Sequence, residues 1–341
     1  MAAPTVATHV QHEGWPYLLP LLGLTTFIAF GASLLIGPAA IGFRETLSAL
    51  LLGDAEMTAI IVREVRLPRA ILGLAIGATL GLAGAALQGF LRNPLAEPGL
   101  IGVSASAALG AVLMFYTGLA AFFALALPLG GMAGACIGVL LVQALAGRGV
   151  SPVTLILAGV AVTSFAGALT SLTLNLAPNP FAALEIVFWL MGSLADRSFE
   201  HVWLSLPFMV AGWLLLMSTG RQLDALTLGE DSARTMGFNL AALRHQIVLG
   251  TALSVGAATS VAGAIGFVGL VVPHLLRPLV AHRPSALLLA SALGGAALTL
   301  TADVAVRVLF PERELKLGVL MALIGAPFFL FLLLRLRRQL P

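Results

Sequence analysis

Residues 62–104 read VREVRLPRAILGLAIGATLGLAGAALQGFLRNPLAEPGLIGVS, and the reading of this stretch decides the fold. Arg63, Arg66 and Arg69 stand at one end. A glycine-laced apolar run from Ala70 to Leu91 follows, and it is long enough to cross a bilayer, where a spanning helix needs about 20 apolar residues. The turn-rich knot Arg92-Asn93-Pro94-Leu95-Ala96-Glu97-Pro98-Gly99 closes the other end. Pro68 stands where a helix can start. One end is built to meet a charged partner and the other to turn sharply at a membrane face.

The rest of the chain has the same character. Of its 341 residues 59% are hydrophobic and only 10% charged, and the mean hydropathy is +1.03. A soluble domain is about half apolar and a quarter charged, so this is an integral membrane protein. The ten-residue alternation of an outer-membrane barrel is absent, which leaves an all-α, polytopic transmembrane bundle. Ten spans are predicted, at 16–37, 68–91, 99–118, 120–146, 152–174, 202–220, 243–260, 261–280, 285–307 and 315–335. Glycines 256, 263, 266 and 269 interrupt 243–280, and hydropathy alone leaves open one long helix or two short ones there. Phe181–Gly192 is apolar but too short to cross, and Pro178 and Pro180 separate it from the span before it. No Lys or Arg precedes the first apolar run and no small-residue cleavage site follows it, so the first span is expected to be retained. That gives a tail over 1–15 and one transmembrane domain over 16–341.

A net charge of +3 and a pI near 9.7 do not indicate nucleic acid here, because the 18 basic residues lie scattered between apolar spans. An even number of spans puts both termini on one side, and Arg335, Arg337 and Arg338 place that side in the cytoplasm. Ten basic residues then lie inside: Arg92, Arg148, Arg221, Arg234, Arg244, Arg277, Arg283 and the three just named. Eight lie outside: Arg44, Arg63, Arg66, Arg69, Arg197, Arg307, Arg313 and Lys316. So weak a bias means that the outside arginines need a reason.

Gly73, Gly77 and Gly81 repeat at four, as do Gly130, Gly134 and Gly138, and such faces let helix backbones approach closely. Tight packing within the bundle is the plain reading, with a dimer contact or a moving interface as the alternative. The single cysteine, Cys136, excludes an intrachain disulfide and reads as a small packing residue. A short echo links Ala83-Gly84-Ala85 with Gln88-Gly89-Phe90 to Ala262-Gly263-Ala264 with Gly266-Phe267.

No catalytic motif is present. The only lysine, Lys316, is followed by leucine, so the chain has no phosphate-binding P-loop and must draw energy from a partner or an ion gradient. Six dispersed histidines form no metal site. The longest polar interval is Leu223–Leu240, LDALTLGEDSARTMGFNL, read as a short amphipathic helix with a glycine stop at Gly237. It is either an ordinary loop or a helix laid into a groove on a soluble motor subunit, with small Ala233 allowing close approach. Asp303 lies four residues before Arg307, so an i,i+4 ion pair can orient that arginine, with a proton relay as the alternative.

The 62–104 stretch, the Glu230-x-x-Ala233-Arg234-x-x-Gly237 segment, AGAIGFVGLVVPHLLR (262–277) and ELKLGVLMALIGAPFFLFLLLR (314–335) resemble the inner-membrane permeases of ABC importers for iron-siderophores, heme and cobalamin. The resemblance runs from about residue 60 to the end and shares only a span before that. It implies ten spans per subunit in the type II importer fold. It also implies a second permease subunit, most simply a homodimer, two ABC ATPase subunits on the cytoplasmic face and a periplasmic substrate-binding protein outside. Arg66, Arg69 and Arg307 match the family's docking positions for that binding protein, with lipid-headgroup contact as the alternative. Coupling to the ATPase falls on Glu230, Ala233, Arg234 and Gly237. The outer gate matches the region of Trp189, Gly192 and Ser193. The chain itself is expected to hold no cofactor or metal, while ATP and Mg are used by the partner ATPase. Two departures are visible: the link PLVAHRPS after Arg277 is shorter than usual, and Lys316 replaces a proline.

The expected function is therefore import of a metal chelate across a bacterial inner membrane, with an iron complex favoured as the commoner cargo and cobalamin or heme as alternatives. Two rivals come from other classes. A gradient-driven secondary transporter would need a mid-membrane carboxylate, for which Asp303 is the candidate. A membrane subunit without transport would tolerate loss of the polar segment 223–240.

Overall fold

The computed structural model describes residues 15–52, 57–123, 125–147, 152–177, 179–310 and 315–337. The tail over 1–15, apart from Trp15, lies outside the described residues, as do His9, His12, Arg148, Pro178, Arg313 and Arg338. All regular structure among the described residues is helical.

The chain enters through α1 (Leu18–Leu35) and a short α2 (Phe43–Leu51). One continuous helical run then covers Met57–Leu91, made of α3 (Met57–Ile60), a π-helical turn (Ile61–Arg66) and α4 (Leu67–Leu91). This corrects the expectation that a helix starts at Pro68. Proline has no N–H to give to the preceding turn, and the widened turn just before it absorbs that missing bond, so the helix passes through. In consequence Arg63 and Arg66 sit on the same continuous helical run as Arg69.

A 3-10 turn (Pro98–Ile101) leads into α5 (Val103–Tyr116), α6 (Leu119–Phe122), α7 (Ala126–Ala146) and α8 (Pro152–Asn175). Next come α9 (Pro180–Leu190), α10 (Phe199–Met217), α11 (Gly220–Leu226) and α12 (Glu230–Thr235). The chain ends with α13 (Leu240–Ala262), α14 (Val268–Leu276), α15 (Pro284–Leu309) and α16 (Leu317–Arg337). Among the described residues seven runs are long and apolar enough to span, and four apolar helices are shorter, including Val103–Tyr116, Val268–Val280 and Leu317–Leu332. The stretch 243–280 is two helices. α13 ends at Ala262, the chain unwinds through Gly263, and α14 begins at Val268 after Phe267, which takes a left-handed conformation with φ of 67°.

α4 is the axis of the bundle: 83% of its spanning window is buried inside the protein. The reason is its glycine face. A Cβ on Gly77 would lie 2.3 Å from the Gly295 carbonyl oxygen, and one on Gly81 would lie 2.0 Å from that of Ser291. At Gly73 the neighbour is the Leu300 side chain, at 3.1 Å. These pairings run in opposite order along the two helices, so α4 and α15 are antiparallel and touch backbone to backbone. Gly130 and Gly134 of α7 press on Gly110 and Ser106 of α5 in the same way. α1 lies alongside α15, where Thr26 donates its hydroxyl to the Leu293 carbonyl.

Candidate functional site: two polar ends of one helix pair

The antiparallel seam gives the bundle two polar ends. The first carries the start of α4, the end of α15 and the end of α1. A helix leaves its last carbonyls without intrahelical partners, and in a bilayer they must be satisfied by the protein. Arginines do this here. Arg66 donates through Nη1 to the carbonyls of Leu34 (2.9 Å) and Leu35 (2.8 Å), and through Nη2 to that of Ala39. Arg307 donates through Nη1 to the carbonyls of Ser33 (3.0 Å) and Ile36 (2.5 Å), and through Nη2 to the Ser33 hydroxyl (2.9 Å). Arg63 closes α2 likewise, donating to the carbonyls of Ala49 and Leu50.

Asp303 joins this end into one unit. It is 1% exposed and accepts from Arg69 Nη2 at 2.8 Å and from Arg69 Nε at 3.1 Å. It also pairs with Arg307 Nη2 at 3.0 Å, the expected i,i+4 contact. Arg66, Arg69 and Arg307, expected together as an outward landing site, are brought together, but the structure corrects their orientation. Arg66 is only 4% exposed and the Arg307 side chain 6%, because both are committed to the end of α1. The Arg69 side chain keeps 19% exposure, and among the described residues its Nη1 has no intrachain acceptor.

The second end carries the polar segment. α11 is tied to the start of α15 by Asp224, which accepts from the Ser285 backbone N–H at 2.8 Å and from its hydroxyl at 2.6 Å. Glu230 pairs with Arg234 at 3.4 Å and reaches Arg92, the left-handed residue ending α4, at 3.9 Å. α12 closes as the sequence requires: Gly237 has φ of 86°, its N–H bonds to the Arg234 carbonyl, and that of Phe238 bonds to Ala233. The expected role of Ala233, giving a partner room to approach, is corrected. Ala233 is 0% exposed and faces the chain's own interior, while Leu228, Asp231, Arg234, Thr235 and Met236 are exposed. Its small size serves packing beneath α12.

The region expected as a gate lies at the arginine end. Ser193 donates its N–H to the Ala262 carbonyl, and Gly192 accepts from the Gly318 N–H. Gly192 has φ of 73°, and a Cβ there would lie 2.5 Å from the Ala264 carbonyl oxygen. Trp189 is half-buried one turn before. The region therefore rests on the break between α13 and α14 and on the start of α16. Lys316 places its ammonium 5.8 Å from the centre of the Phe188 ring of α9. In the following loop Arg197 is half-buried, and its desolvation pushes the guanidinium pKa below the ordinary value against the opposing pull of Asp196. The shortened link after Arg277 is a tight turn in which Ala281 and His282 are both left-handed.

Three partners could not be read from the sequence. Asp303 reaches Arg69 across 234 residues, a contact that no local spacing announces. Gln88, 0% exposed, donates toward the carbonyls of Gly269 and Leu270 and accepts from Arg277 Nη2 at 2.5 Å. A polar amide inside an apolar run was the signal available for it. The acceptors of Arg66 and Arg307 are backbone carbonyls, which carry no residue-specific signal.

The chain resembles known proteins over most of its length. The FecCD transport family matches residues 25–335. The chain is 37% identical over 337 residues to the vitamin B12 import system permease protein BtuC of Salmonella paratyphi A, covering 98% of this chain and 99% of that one. It is 40% identical over 284 residues to the cobalamin import system permease protein BtuC of Halobacterium salinarum, covering 82% and 75%. It is also 40% identical over 290 residues to an uncharacterised ABC transporter permease, YvrB, of Bacillus subtilis, covering 84% and 82%. A solved structure of an inward-facing transporter assigned to the metal-chelate ABC type superposes with a TM-score of 0.80 at 32% identity, covering 93% of this chain and 98% of that one.

Proposed function

The chain belongs to the FecCD transport family, and on that premise we propose that it is the permease of an ABC importer in a bacterial inner membrane, carrying a bulky metal chelate. The observation that carries this reading is the placement of two unlike polar ends on one rigid helix pair. The Arg69–Asp303 contact and the Glu230–Arg92 contact stand at opposite ends of α4, a helix of 25 residues and thus about 37 Å long. Such a pair can carry a displacement from one membrane face to the other as a unit.

In this mechanism the arginine end faces the periplasm and receives a substrate-binding protein, and both termini are cytoplasmic. Two ATPase subunits meet the segment 223–240 on the cytoplasmic side. Their exposed contacts are Glu230, Arg234 and the Gly237 turn, with buried Ala233 seating α12 on the bundle. ATP binding draws the segments of two permease copies together and shifts the equilibrium between inward- and outward-facing states. At the other end Trp189, Gly192 and Ser193 move as a gate with the α13–α14 break. The chain supplies path and gates, and its partner supplies ATP and Mg chemistry. An acidic binding protein is steered to the net positive arginine end.

Relatives named for vitamin B12 and cobalamin make a corrinoid the first cargo to test, with ferric siderophores and heme beside it. The test is reconstitution in proteoliposomes with the ATPase and substrate-binding protein. Ligand-stimulated ATP hydrolysis and uptake are expected with one chelate class and not the others. Uptake at full rate without any ATPase would overturn the reading in favour of a gradient-driven transporter.

A further inference from the structure

We propose that Asp303 is the positioning residue of the docking patch, holding Arg69 so that Nη1, the nitrogen with no acceptor among the described residues, faces a partner's carboxylate. The inference rests on the docking reading above and deepens it. Four observations carry it. The Asp303 carboxylate is buried and engaged from both sides, by Arg69 across the α4–α15 seam and by Arg307 one turn away on its own helix. Arg307 has spent its remaining donors on Ser33, Ile36 and the Asp303 carbonyl. Arg66 donates through both terminal nitrogens to the end of α1. Arg69 alone keeps a partly exposed side chain, and Asp303 grips it by the Nε–Nη2 edge.

A guanidinium is a planar fork, so fixing one edge fixes where the other donors point. With Nε and Nη2 on Asp303, Nη1 is turned away from the carboxylate. A partner that bonds to it meets an arginine whose rotamer is already set, and the ordering cost that a free arginine would bring to the interface is avoided. Arg66 and Arg307 contribute charge and brace α1, while Arg69 makes the direct contact.

Positioning and plain electrostatics predict opposite signs at Asp303. Asp303 is the patch's own negative charge, so removing it makes the patch more positive. If charge alone governed docking, Asp303→Asn would bind an acidic partner more tightly. Positioning requires that it bind more weakly.

The experiment measures docking to the permease–ATPase complex in nanodiscs, using the substrate-binding protein that restores uptake in the reconstitution above. Asp303→Asn is expected to weaken docking by about tenfold, the scale of one lost charge-assisted hydrogen bond. In uptake assays the change is expected in the apparent KM for the binding protein, with Vmax retained. A lowered Vmax at unchanged KM would overturn the inference, because a merely structural defect acts that way. Docking as tight as wild type or tighter would also overturn it. Should Asp303→Asn fail to assemble, Asp303→Glu keeps the charge and shifts the carboxylate by one methylene, and the same KM increase is required of it. Arg69→Ala separates the two levels. Wild-type docking in Arg69→Ala sinks the docking reading itself, whereas lost docking there with intact docking in Asp303→Asn sinks only the positioning role.

Discussion

The two ends of α4 hold arginines on opposite physical terms. At the first, Arg66 is 4% exposed and Asp303 1%, and nearly every donor has a fixed acceptor. At the second, the side chains of Arg92 and Arg234 are 52% and 61% exposed, and the Glu230 side chain between them is 37% exposed. Buried polar groups that lose a partner cost the full desolvation penalty, whereas exposed ion pairs contribute little. The same residue type is therefore a structural brace at one end and an adjustable contact at the other. A lost partner therefore costs more stability at the arginine end than at the polar segment.

That contrast can be broken by measurement. The largest loss is expected at the seam on which both ends depend. Gly81→Val would drive a branched side chain into the Ser291 carbonyl, costing well over the 1–3 kcal/mol or so typical of overpacking, and little folded protein should be recovered by size-exclusion chromatography. A wild-type elution profile would show that α4 and α15 can separate freely. Next comes Arg66→Ala, which strands the carbonyls of Leu34, Leu35 and Ala39. At about 1–3 kcal/mol for each buried group left unpaired, the apparent Tm in detergent should fall by many degrees. An unchanged Tm would mean that α1 is held by its apolar face alone.

At the other end the effects on stability shrink. Gly237→Ala places a Cβ in a left-handed turn with open space around it, a strain of about 1–2 kcal/mol. It should lower Tm modestly and reduce ATP-driven uptake, and full uptake would remove Gly237 from the coupling role. Smallest in stability is Glu230→Gln, expected to cost less than about 1 kcal/mol while sharply reducing uptake per ATP hydrolysed. A Tm drop as large as that of Arg66→Ala would erase the contrast between the ends.

Much of the fold was legible because its signals are local. The glycine repeat at 73, 77 and 81, the cap at Gly237 and the short apolar helix over 180–190 follow from spacing along one helix or turn. The break inside 243–280 was visible as a run of glycines but not decidable, since unwinding at Gly263 depends on which backbones crowd it: the Trp189 carbonyl oxygen would lie 2.2 Å from a Cβ there. α2 was not anticipated at all. Its apolar residues Phe43, Leu47 and Leu51 are exposed, so it lacks the length and uniform hydropathy by which spans announce themselves. Arg66, Arg69 and Arg307 were singled out by resemblance to a known family, yet the burial of Arg66 and Arg307 was not foreseen, because most of their acceptors are main-chain carbonyls at and just after the end of α1, 27 to 274 residues away.

The sequence by itself determined an all-helical membrane bundle with a glycine-faced span at 68–91 and a polar segment at 223–240, and the resemblance to a known family singled out Arg66, Arg69 and Arg307. Hydropathy and small-residue spacing are properties of a single stretch, and they suffice for the bundle and its segments. Only the tertiary structure decided what each arginine does. A guanidinium carries the same charge wherever it stands, and whether it caps a helix, grips a carboxylate or faces a partner depends on which acceptors the packed bundle places within 3 Å or so of its five donors. That is why Arg66 and Arg307 became braces for α1, and Arg69 became the one gripped by Asp303 across the seam.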